Sequence, residues 1–371
     1  MKGTTDAGFR RLFAAVGITV AVLASATACA GSAGDGSMTP SDGPVVALLL
    51  PENQTPRYEA RDKPTFEAEL ASSCPDCSLL YYNAAGDAQQ QLSQVESALT
   101  AGADLLVLDP VDSTSAAAMV ARAKSQDVKV MSFDRVIYDA DVDFAVKFDN
   151  VQQGAVGMQS LIDKLRADGL TSGNVVMMNG DPVDSGAKPE KDGAHSVIDG
   201  SEFTVAAEFD TKGWSADNAQ SQMQQAITSL GLDGIAGVYA GNDGMATGVI
   251  AALKAAGADP MPPVTGLDTQ LDAVQKMVAG DLYESTYLPV ETEATVAAQV
   301  AAYLVRDEPV PADLQNGVVD DGTYEVPAYL LESIAVTMAN LQEVLLDSGY
   351  LTVDEICTPD YAAACEAAGL V

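Results

Sequence analysis

Two kinds of apolar pattern alternate along the chain. Short uninterrupted apolar runs predict buried strands, and segments in which apolar residues recur every three to four positions predict amphipathic helices. The runs are Val45–Leu50, Leu79–Tyr82, Leu105–Leu108, Val128–Phe133, Val175–Met178, Phe203–Phe209, Ile235–Tyr239 and Val264–Leu267. The helical segments include Phe66–Leu70, Leu92–Leu99, Met119–Ala123, Val151–Leu165, Ser215–Leu230, Gly244–Ala256, Leu271–Val278 and Glu291–Val305.

Polar residues and glycines mark where several of these helices begin and end. Asp87 is predicted to cap the second helix, which Gly102 ends. Either Ser113 or Ser115 is predicted to cap the third. Short polar side chains accept hydrogen bonds from the free N–H groups of a first turn, and glycine tolerates the left-handed conformation after a last turn.

Alternating strands and helices predict an α/β fold with parallel sheets covered on both faces. The pattern starts again after Asn150, so we predict two doubly wound lobes. The helix over Glu291–Val305 and the later segment Val326–Leu331 exceed what the second lobe requires. We therefore assign 45–149 plus 290–320 to an N-terminal lobe, 150–289 plus 321–345 to a C-terminal lobe, and 346–371 to a tail with a disulfide.

The chain is strongly acidic, with 53 Asp and Glu against 19 Lys and Arg in 371 residues and a formal charge of −34. This balance argues against nucleic-acid binding, which rests on basic side chains that displace counterions from phosphates. Hydrophobic residues make up 47% of the chain, so a packed globule is expected rather than a disordered acidic polymer. The length favours two domains.

The first residues have the pattern of an export signal. Lys2, Arg10 and Arg11 precede an uncharged stretch over 12–28. That stretch is about as long as a signal-peptide core and short for a membrane span. We predict a signal peptide over 1–28, used by the general secretory or the twin-arginine route.

Cys29 follows the small residues Ala26-Thr27-Ala28 and resembles the acylated cysteine of bacterial lipoproteins. Residues 29–44 then form a flexible, lipid-anchored tether, which places the protein outside the cytoplasm on the outer face of the cell membrane. The alternative is ordinary cleavage near Ala28, which leaves Cys29 as a free thiol.

Four further cysteines fall into two close pairs, Cys74 with Cys77 and Cys357 with Cys365. Two local disulfides are expected in an oxidising compartment. A redox-active Cys-x-x-Cys pair should open a helix after a strand, whereas Cys74-Pro75-Asp76-Cys77 precedes a predicted strand. A zinc site remains an alternative, but it requires two distant pairs to converge.

Polar side chains cluster directly after the predicted strands, where open parallel sheets bind ligands. The most informative are Arg57 and Arg135, because arginine is scarce here and its forked guanidinium suits paired oxygen acceptors. The other candidates in these loops are Glu52, Asn53, Tyr58, Arg61, Asp109, Asp134, Asp181, Asp184, Trp214, Asn242, Asp243 and Asp268. Asp109, Asp243 and Asp268 have helix capping as an equal alternative.

Carboxylates, amides, guanidinium groups and aromatic rings together fit a neutral polyol, with C–H faces for the rings and hydroxyls for the polar groups. A phosphorylated ligand calls for a phosphate-binding loop of the Gly-x-x-x-x-Gly-Lys-Ser/Thr type, which is not in the sequence. The carboxylate pair Asp181 and Asp184 also fits a glycosidase. Other hydrolases lack support, because His195 is the single histidine and no Gly-x-Ser-x-Gly or His-Glu-x-x-His motif occurs.

Several blocks in a fixed order resemble the xylose-binding members of the sugar-specific periplasmic binding proteins. They are Arg57-Tyr58, 94–110, 130–137, Phe148-Asp149-Asn150, 180–188, Gly213-Trp214, Gly241-Asn242-Asp243 and Gly266-Leu267-Asp268. The resemblance implies a periplasmic binding protein type I fold, with two Rossmann-like lobes joined by a hinge. It also implies a receptor without enzymatic activity or cofactor that delivers a monosaccharide, D-xylose first, to an ABC transporter permease.

The resemblance also implies roles for individual residues. Sugar hydroxyls would bind to Arg57, Asp134, Arg135, Asp184, Asn242 and Asp268, and Tyr58 and Trp214 would stack on the ring. Ser185, Leu267 and Leu288 depart from the family pattern and remove polar groups, so another pentose, hexose or polyol is an alternative ligand. A sugar receptor for chemotaxis or signalling is the alternative function. We expect a monomer that binds no metal.

Overall fold

The computed structural model describes residues 43–371. The predicted signal peptide, Cys29 and most of the tether lie outside the described residues and stay predictions. Within 43–371, no helix combines the length and apolar character needed to cross a bilayer.

The strands and helices alternate over most of this range. In chain order the strands are β1 (Val45–Leu50), β2 (Ser78–Asn83), β3 (Leu105–Leu108), β4 (Lys129–Phe133), β5 (Phe144–Phe148), β6 (Gly173–Asn179), β7 (Phe203–Asp210), β8 (Gly237–Ala240), β9 (Thr265–Leu267), β10 (Glu284–Tyr287), β11 (Gly317–Asp320), β12 (Glu325–Leu331) and β13 (Ile334–Val336). The helices are α1 (Lys63–Ser73), α2 (Ala88–Thr100), α3 (Ala117–Lys124), α4 (Asn150–Ala167), α5 (Ala187–Ile198), α6 (Ala216–Leu230), α7 (Asp243–Ala256), α8 (Leu271–Val278), α9 (Val290–Leu304), α10 (Val353–Ile356) and α11 (Ala362–Ala368).

The N-terminal lobe is built on a seven-stranded sheet in the order β11-β12-β5-β4-β3-β1-β2. All neighbours pair in parallel except the edge strand β11, which is antiparallel to β12. Helices pack on both faces, so the strand residues Val46–Leu50 and Leu105–Leu108 have no exposed surface. Burial on both faces explains why these strands read as continuous apolar runs.

The C-terminal lobe contains two three-stranded sheets, β7-β6-β8 and β13-β10-β9. A parallel bridge between Val238 and Val264 connects them. Helices α4 to α8 cover these sheets, and α9 returns to pack against α1 and the first sheet. The predicted α/β fold with two lobes is confirmed.

The helix ends confirm one predicted cap and correct another. The Asp87 carboxylate accepts hydrogen bonds from the N–H groups of Gln89 and Gln90 at the start of α2. No serine side chain caps α3. Instead, the Asp112 carboxylate accepts from the N–H groups of Thr114 and Ser115 in the turn before it.

The boundary drawn at residue 321 was wrong. Strand β12 pairs in parallel with β5, and β11 pairs with β12, so residues 317–331 belong to the N-terminal lobe. Of the three strands β11, β12 and β13, only β13 lies in the C-terminal lobe, where it is antiparallel to β10. This placement explains the apolar run of β12, because its Val326, Ala328 and Leu331 are buried in the first sheet.

Three segments therefore cross between the lobes, near Asp149, near Pro289 and at 332–333. The first and third crossings are joined to each other. The Asp149 N–H donates to the Leu331 carbonyl at 2.9 Å, and the Gln152 side chain exchanges two hydrogen bonds with the Ser333 backbone. The third crossing thus lies about ten residues after the lobe boundary predicted at residue 321, and it lies beside the first crossing.

The C-terminal tail packs on the C-terminal lobe through α10 and α11, which contact α8. The structure pairs Cys357 with Cys365 in this tail and Cys74 with Cys77 after α1. Tyr350 meets the N-terminal lobe as well, because the Arg61 guanidinium stacks 3.8 Å from its ring centroid and donates to its carbonyl at 2.7 Å.

Candidate functional site

The eight residues assigned to the ligand line one cavity between the lobes, with about 510 Å³ of space that includes its solvent-open part. The eight are Arg57, Tyr58, Asp134, Arg135, Asp184, Trp214, Asn242 and Asp268. Each follows the carboxyl end of a parallel strand, the position that brings loops from separate strands together.

Backbone conformation directs two of these carboxylates. Asp134 and Asp268 have φ values of 58° and 101°, a region that few non-glycine residues occupy. Backbone hydrogen bonds hold both, from the Asp134 N–H to Val146 and from the Asp268 N–H to Thr286, each at 2.9 Å. The surrounding sheet therefore fixes an otherwise costly conformation, as is common at ligand sites.

Arg57 is surrounded by carboxylates. Its Nε and Nη2 donate to Asp62 at 3.0 and 2.9 Å, and Nη2 also donates to Glu293 at 2.7 Å. Its Nη1 lies 3.7 Å from Asp134, which faces the cavity. Burial lowers the pKa of Arg57, but these carboxylates outweigh it and raise the pKa above the ordinary arginine value. The guanidinium is thus a fixed charge with one nitrogen turned toward the ligand side.

Arg135 joins the two lobes. Its Nε lies 2.9 Å from Asp184 of the C-terminal lobe and 3.5 Å from the buried Asp109. Both contacts are ion pairs, and neither has the alignment of a hydrogen bond. Its Nη1 donates to the Pro110 carbonyl at 3.1 Å, and its Nη2 donates to the Tyr58 hydroxyl at 3.4 Å. Burial raises the pKa of Asp109 well above its ordinary value, and the charge of Arg135 opposes that rise.

Further contacts close the cleft beside Arg135. The Ser113 N–H donates to the Val183 carbonyl at 3.0 Å, and the Ser185 N–H donates to the Ser113 hydroxyl at 3.1 Å. The Tyr138 hydroxyl donates to the Ser185 carbonyl at 3.3 Å. The structure is therefore a closed form, in which both lobes line the same cavity.

Trp214 sits against two glycines on the C-terminal side. A Cβ on Gly180 would lie 2.0 Å from the indole ring, and one on Gly241 would lie 3.3 Å from it. The indole N–H donates to Asp184 at 3.2 Å. Asp181 holds the loop by accepting from the Gly213 N–H at 2.6 Å, so its role here is structural.

Replacing Gly180 with alanine is expected to weaken sugar binding at least tenfold. The new methyl group overlaps the Trp214 ring, which must leave its place and release Asp184. Calorimetry with the best sugar ligand measures the loss. Gly200→Ala is the matched control, because a Cβ there meets only the Val197 carbonyl, at 4.0 Å. Equal affinity in both variants would contradict the placement of Trp214.

Two other residues present polar groups from the C-terminal lobe. Asn242 caps α7, because its side-chain oxygen accepts from the Met245 N–H at 2.8 Å. The cap does not use its amide nitrogen. Asp268 accepts from the Gln270 side chain at 3.1 Å, and burial raises its pKa to about 7.

Helix capping was the alternative role for three aspartates, and none of the three is an N-cap. Asp109 and Asp268 occupy no N-cap position. Asp243 is the first residue of α7, behind its cap Asn242, and accepts from the Gln270 N–H and the Ser285 hydroxyl instead. Asp109 and Asp243 therefore support the site from behind, whereas Asp268 lines it.

Tyr58 combines the expected ring with a polar contact. Its hydroxyl donates to Asp134 at 3.1 Å, and its side chain is nearly buried. Burial raises the pKa of this phenol above its ordinary value, so it remains a donor. Its stacking on a sugar ring stays a prediction.

The cavity has further lining residues that sequence reasoning missed. They are Thr55, Phe148, Asn150, Gln153, Gly186 and Glu190. Phe148 ends β5, whose apolar run is interrupted by Lys147, and Glu190 lies in α5. Neither element was predicted, so neither residue was placed at a cleft. The departures Leu267 and Leu288 give the cavity an apolar patch, whereas Ser185 does not line it.

Comparisons with known proteins agree with this geometry. The model of the periplasmic binding protein domain matches residues 46–309. The D-xylose-binding periplasmic protein of Haemophilus influenzae is 32% identical over 278 residues, 74% of this chain and 81% of that protein. A xylitol-binding protein of Mycolicibacterium smegmatis is 29% identical over 71% of each chain.

A solved structure gives the same result. An ABC transporter solute-binding protein from Clostridium phytofermentans, with bound β-D-glucose, has a TM-score of 0.78 and 29% identity. The match covers 84% of this chain and 99% of that one. Fold, cleft and relatives agree, and the chain belongs to the periplasmic binding protein family, among the sugar-binding proteins of ABC-type transport.

Proposed function

We propose that this protein binds one neutral monosaccharide, D-xylose first, outside the cytoplasm and delivers it to an ABC importer permease. The observation that carries the proposal is the convergence of eight side chains from both lobes on one cavity. Relatives are binding proteins, and two curated ones at 32% identity are D-xylose-binding periplasmic proteins. The protein is accordingly a receptor rather than an enzyme.

The residue chemistry supports an uncharged ligand. Arg57 and Arg135 are already matched by carboxylates, so they donate hydrogen bonds without attracting a net anion. Asp134, Asp184 and Asp268 accept from hydroxyls, and Tyr58 and Trp214 offer faces to C–H groups. A pyranose presents both kinds of surface.

Leu267 and Leu288 bear on the choice among sugars. Both line the cavity, and neither can bond a hydroxyl. They favour a ligand with few polar groups at that end, such as a pentose without an exocyclic hydroxymethyl group. Discrimination by one missing hydroxyl contact is worth about 1–3 kcal/mol, so glucose or xylitol would bind more weakly by about fivefold or more.

Closure is the proposed mechanism. The sugar docks on one lobe, the crossing segments bend, and the second lobe covers it. The closed form then presents both lobes to the permease.

In the same proposal Cys29 carries a lipid, and residues 29–44 hold the receptor near its transporter. Mass spectrometry of the N-terminal peptide tests that anchor, because a Cys29→Ser variant should lose the mass of the lipid-modified peptide.

Calorimetry on purified residues 30–371 tests the function. We expect D-xylose to bind with a dissociation constant of 10 μM or tighter, on the order of −7 kcal/mol or better, ahead of xylitol, D-glucose and D-ribose. Stronger binding of another of these ligands would replace xylose as the substrate. Absence of binding to every pentose, hexose and polyol tried would contradict the receptor function.

A further inference from the structure

Glu190 is a buried carboxyl group in the cavity wall that has no assigned role. It lies in the first turn of α5 and has 2% of its surface exposed. It lines the same cavity as Arg57 and Asp268. Among residues 43–371 it forms no ion pair, which is unusual for a carboxyl group this deeply buried.

The backbone holds α5 close to the cavity. A Cβ on Gly154 of α4 would lie 1.8 Å from the Glu190 carbonyl oxygen, and one on Gly193 would lie 2.0 Å from the Val151 carbonyl. Only glycine permits this close approach of the two helices at both positions. The position of the Glu190 side chain is therefore set by helix packing rather than by a flexible loop.

One carboxyl oxygen is fixed and the other is unused. Oε1 accepts a hydrogen bond from the buried Tyr239 hydroxyl at 2.8 Å and would lie 2.8 Å from a Cβ on Gly241. Oε2 has no hydrogen-bond partner within the described part of the chain, yet it is not fully buried. A polar oxygen without a protein partner in a ligand cavity is suited to a ligand group.

We propose that Glu190 is a ligand-binding residue whose Oε2, in protonated form, donates a hydrogen bond to a hydroxyl oxygen of the sugar. This proposal rests on the proposed sugar-binding function and adds a donor that the resemblance to xylose-binding proteins did not assign. The sugar then receives one neutral donor from α5 besides the guanidinium donors of the N-terminal lobe.

The groups that face Glu190 favour its neutral form. Tyr239 of β8 donates to it, Asp184 and Asp268 approach it from the neighbouring loops, and Glu284 of β10 lies behind Tyr239. Burial, the lowering effect of the Tyr239 hydrogen bond and the nearby charges of Asp184 and Asp268 together raise the pKa of Glu190 to about 8. At neutral pH the carboxyl group thus carries a proton to donate.

A pH dependence follows from this protonation state. Bound sugar removes the remaining water from Glu190, which stabilises the neutral form and raises its pKa further. Affinity is therefore full below pH 8 and falls as pH rises through that value. We expect binding to weaken about tenfold between pH 7 and pH 9. Asp268, with its pKa of about 7, is about half ionised at pH 7 and about nine-tenths ionised at pH 8, so the step from pH 8 to pH 9 reports mainly on Glu190.

The test compares Glu190→Gln and Glu190→Ala with the unmodified protein by calorimetry with D-xylose from pH 7 to 9. Glutamine keeps a donor at this place and cannot ionise, so we expect its affinity within threefold of wild type at pH 7 and no loss from pH 8 to 9. Alanine should bind at least tenfold more weakly at pH 7. Asp192→Asn, an exposed change on the same helix, is the control and should match wild type throughout.

The outcomes separate this inference from the function on which it rests. If the unmodified protein binds no sugar, the receptor function itself fails. If it binds and Glu190→Ala binds equally well with an unchanged melting temperature, Glu190 does not contact the ligand. An alkaline loss in Glu190→Gln as large as in wild type would refute the protonated donor.

Discussion

Replacing Arg57 with methionine is expected to abolish sugar binding and to destabilise the protein. Methionine retains the apolar stem, but the guanidinium that faces Asp134 is lost. It also leaves Asp62 and Glu293, with 1% and 0% of their side chains exposed, without a positive partner. Removing one partner of a buried ion pair costs about 3–5 kcal/mol. We expect at least a hundredfold loss of affinity by calorimetry and a clear fall in the urea midpoint.

The destabilisation of this variant should depend on pH. Burial raises the pKa of Asp62 and of Glu293, and Arg57 opposes the rise in both. Without Arg57 the two carboxyls stay protonated to higher pH in the folded state. Groups with raised folded pKa stabilise at acid pH and lose that contribution as pH rises, so the variant should be closer to wild type at pH 5 than at pH 8.

Arg122→Met is the matched control, because Arg122 also lies in the N-terminal lobe and pairs with a carboxylate but is half exposed. Its loss should leave affinity and midpoint unchanged, since exposed pairs contribute little. An Arg57→Met protein that binds sugar like wild type would remove Arg57 from the site.

Replacing Arg135 with alanine should have the second largest effect, through loss of the bridge between the lobes. Arg135 contacts Asp184 across the cleft and Tyr58 and the Pro110 carbonyl on its own side. The ion pair with Asp184 across the cleft and the guanidinium hydrogen bond proposed to the sugar are both lost, and at about 1.5–3 kcal/mol for each contact to a charged group this weakens binding a hundredfold or more. Small-angle scattering should also show less ligand-induced compaction.

A double variant separates binding from stability at Arg135. Asp109 is fully buried, and neither of its carboxylate oxygens has a hydrogen-bond partner among the described residues. Arg135→Ala therefore leaves the Asp109 carboxyl group buried with neither a hydrogen bond nor its positive neighbour, and adding Asp109→Asn should restore the melting temperature without restoring affinity. Recovery of binding in the double variant would mean that Arg135 acts only by neutralising Asp109.

Strand ends were the part of the site that sequence could locate. Of the candidates in those loops, the eight that the family resemblance assigned to the ligand line the cavity, whereas Glu52, Asn53, Arg61, Asp109, Asp181 and Asp243 do not. Loops after parallel strands meet by topology, so strand ends locate the cleft but do not choose among its residues. One of the strands that sequence missed is polar and buried. Strand β10 begins with Glu284, Ser285 and Thr286, which have at most 1% exposure, so a rule based on apolar runs does not find it.

These polar residues are buried because they satisfy one another. The Ser285 hydroxyl donates to Asp243 at 2.7 Å, and the Thr286 hydroxyl donates to Glu284 at 2.8 Å. Likewise the Lys147 ammonium, which interrupts β5, bonds to Asn150 at 2.7 Å. The Ser285–Asp243 pairing joins residues 42 positions apart, and the two local pairings form only once the chain is folded as strand and crossing segment, so only the folded arrangement reveals them. The same limitation concealed Glu190.

The three chain segments between the lobes restrict how the protein can move. Two of them, near Asp149 and Ser333, are bonded side by side, and the third lies near Pro289. Because three segments must bend together, we expect the lobes to swing about a shared hinge rather than to twist or slide freely. The open protein then explores an arc rather than a volume, so capturing a sugar costs little orientational entropy, and more of the contact energy remains as affinity.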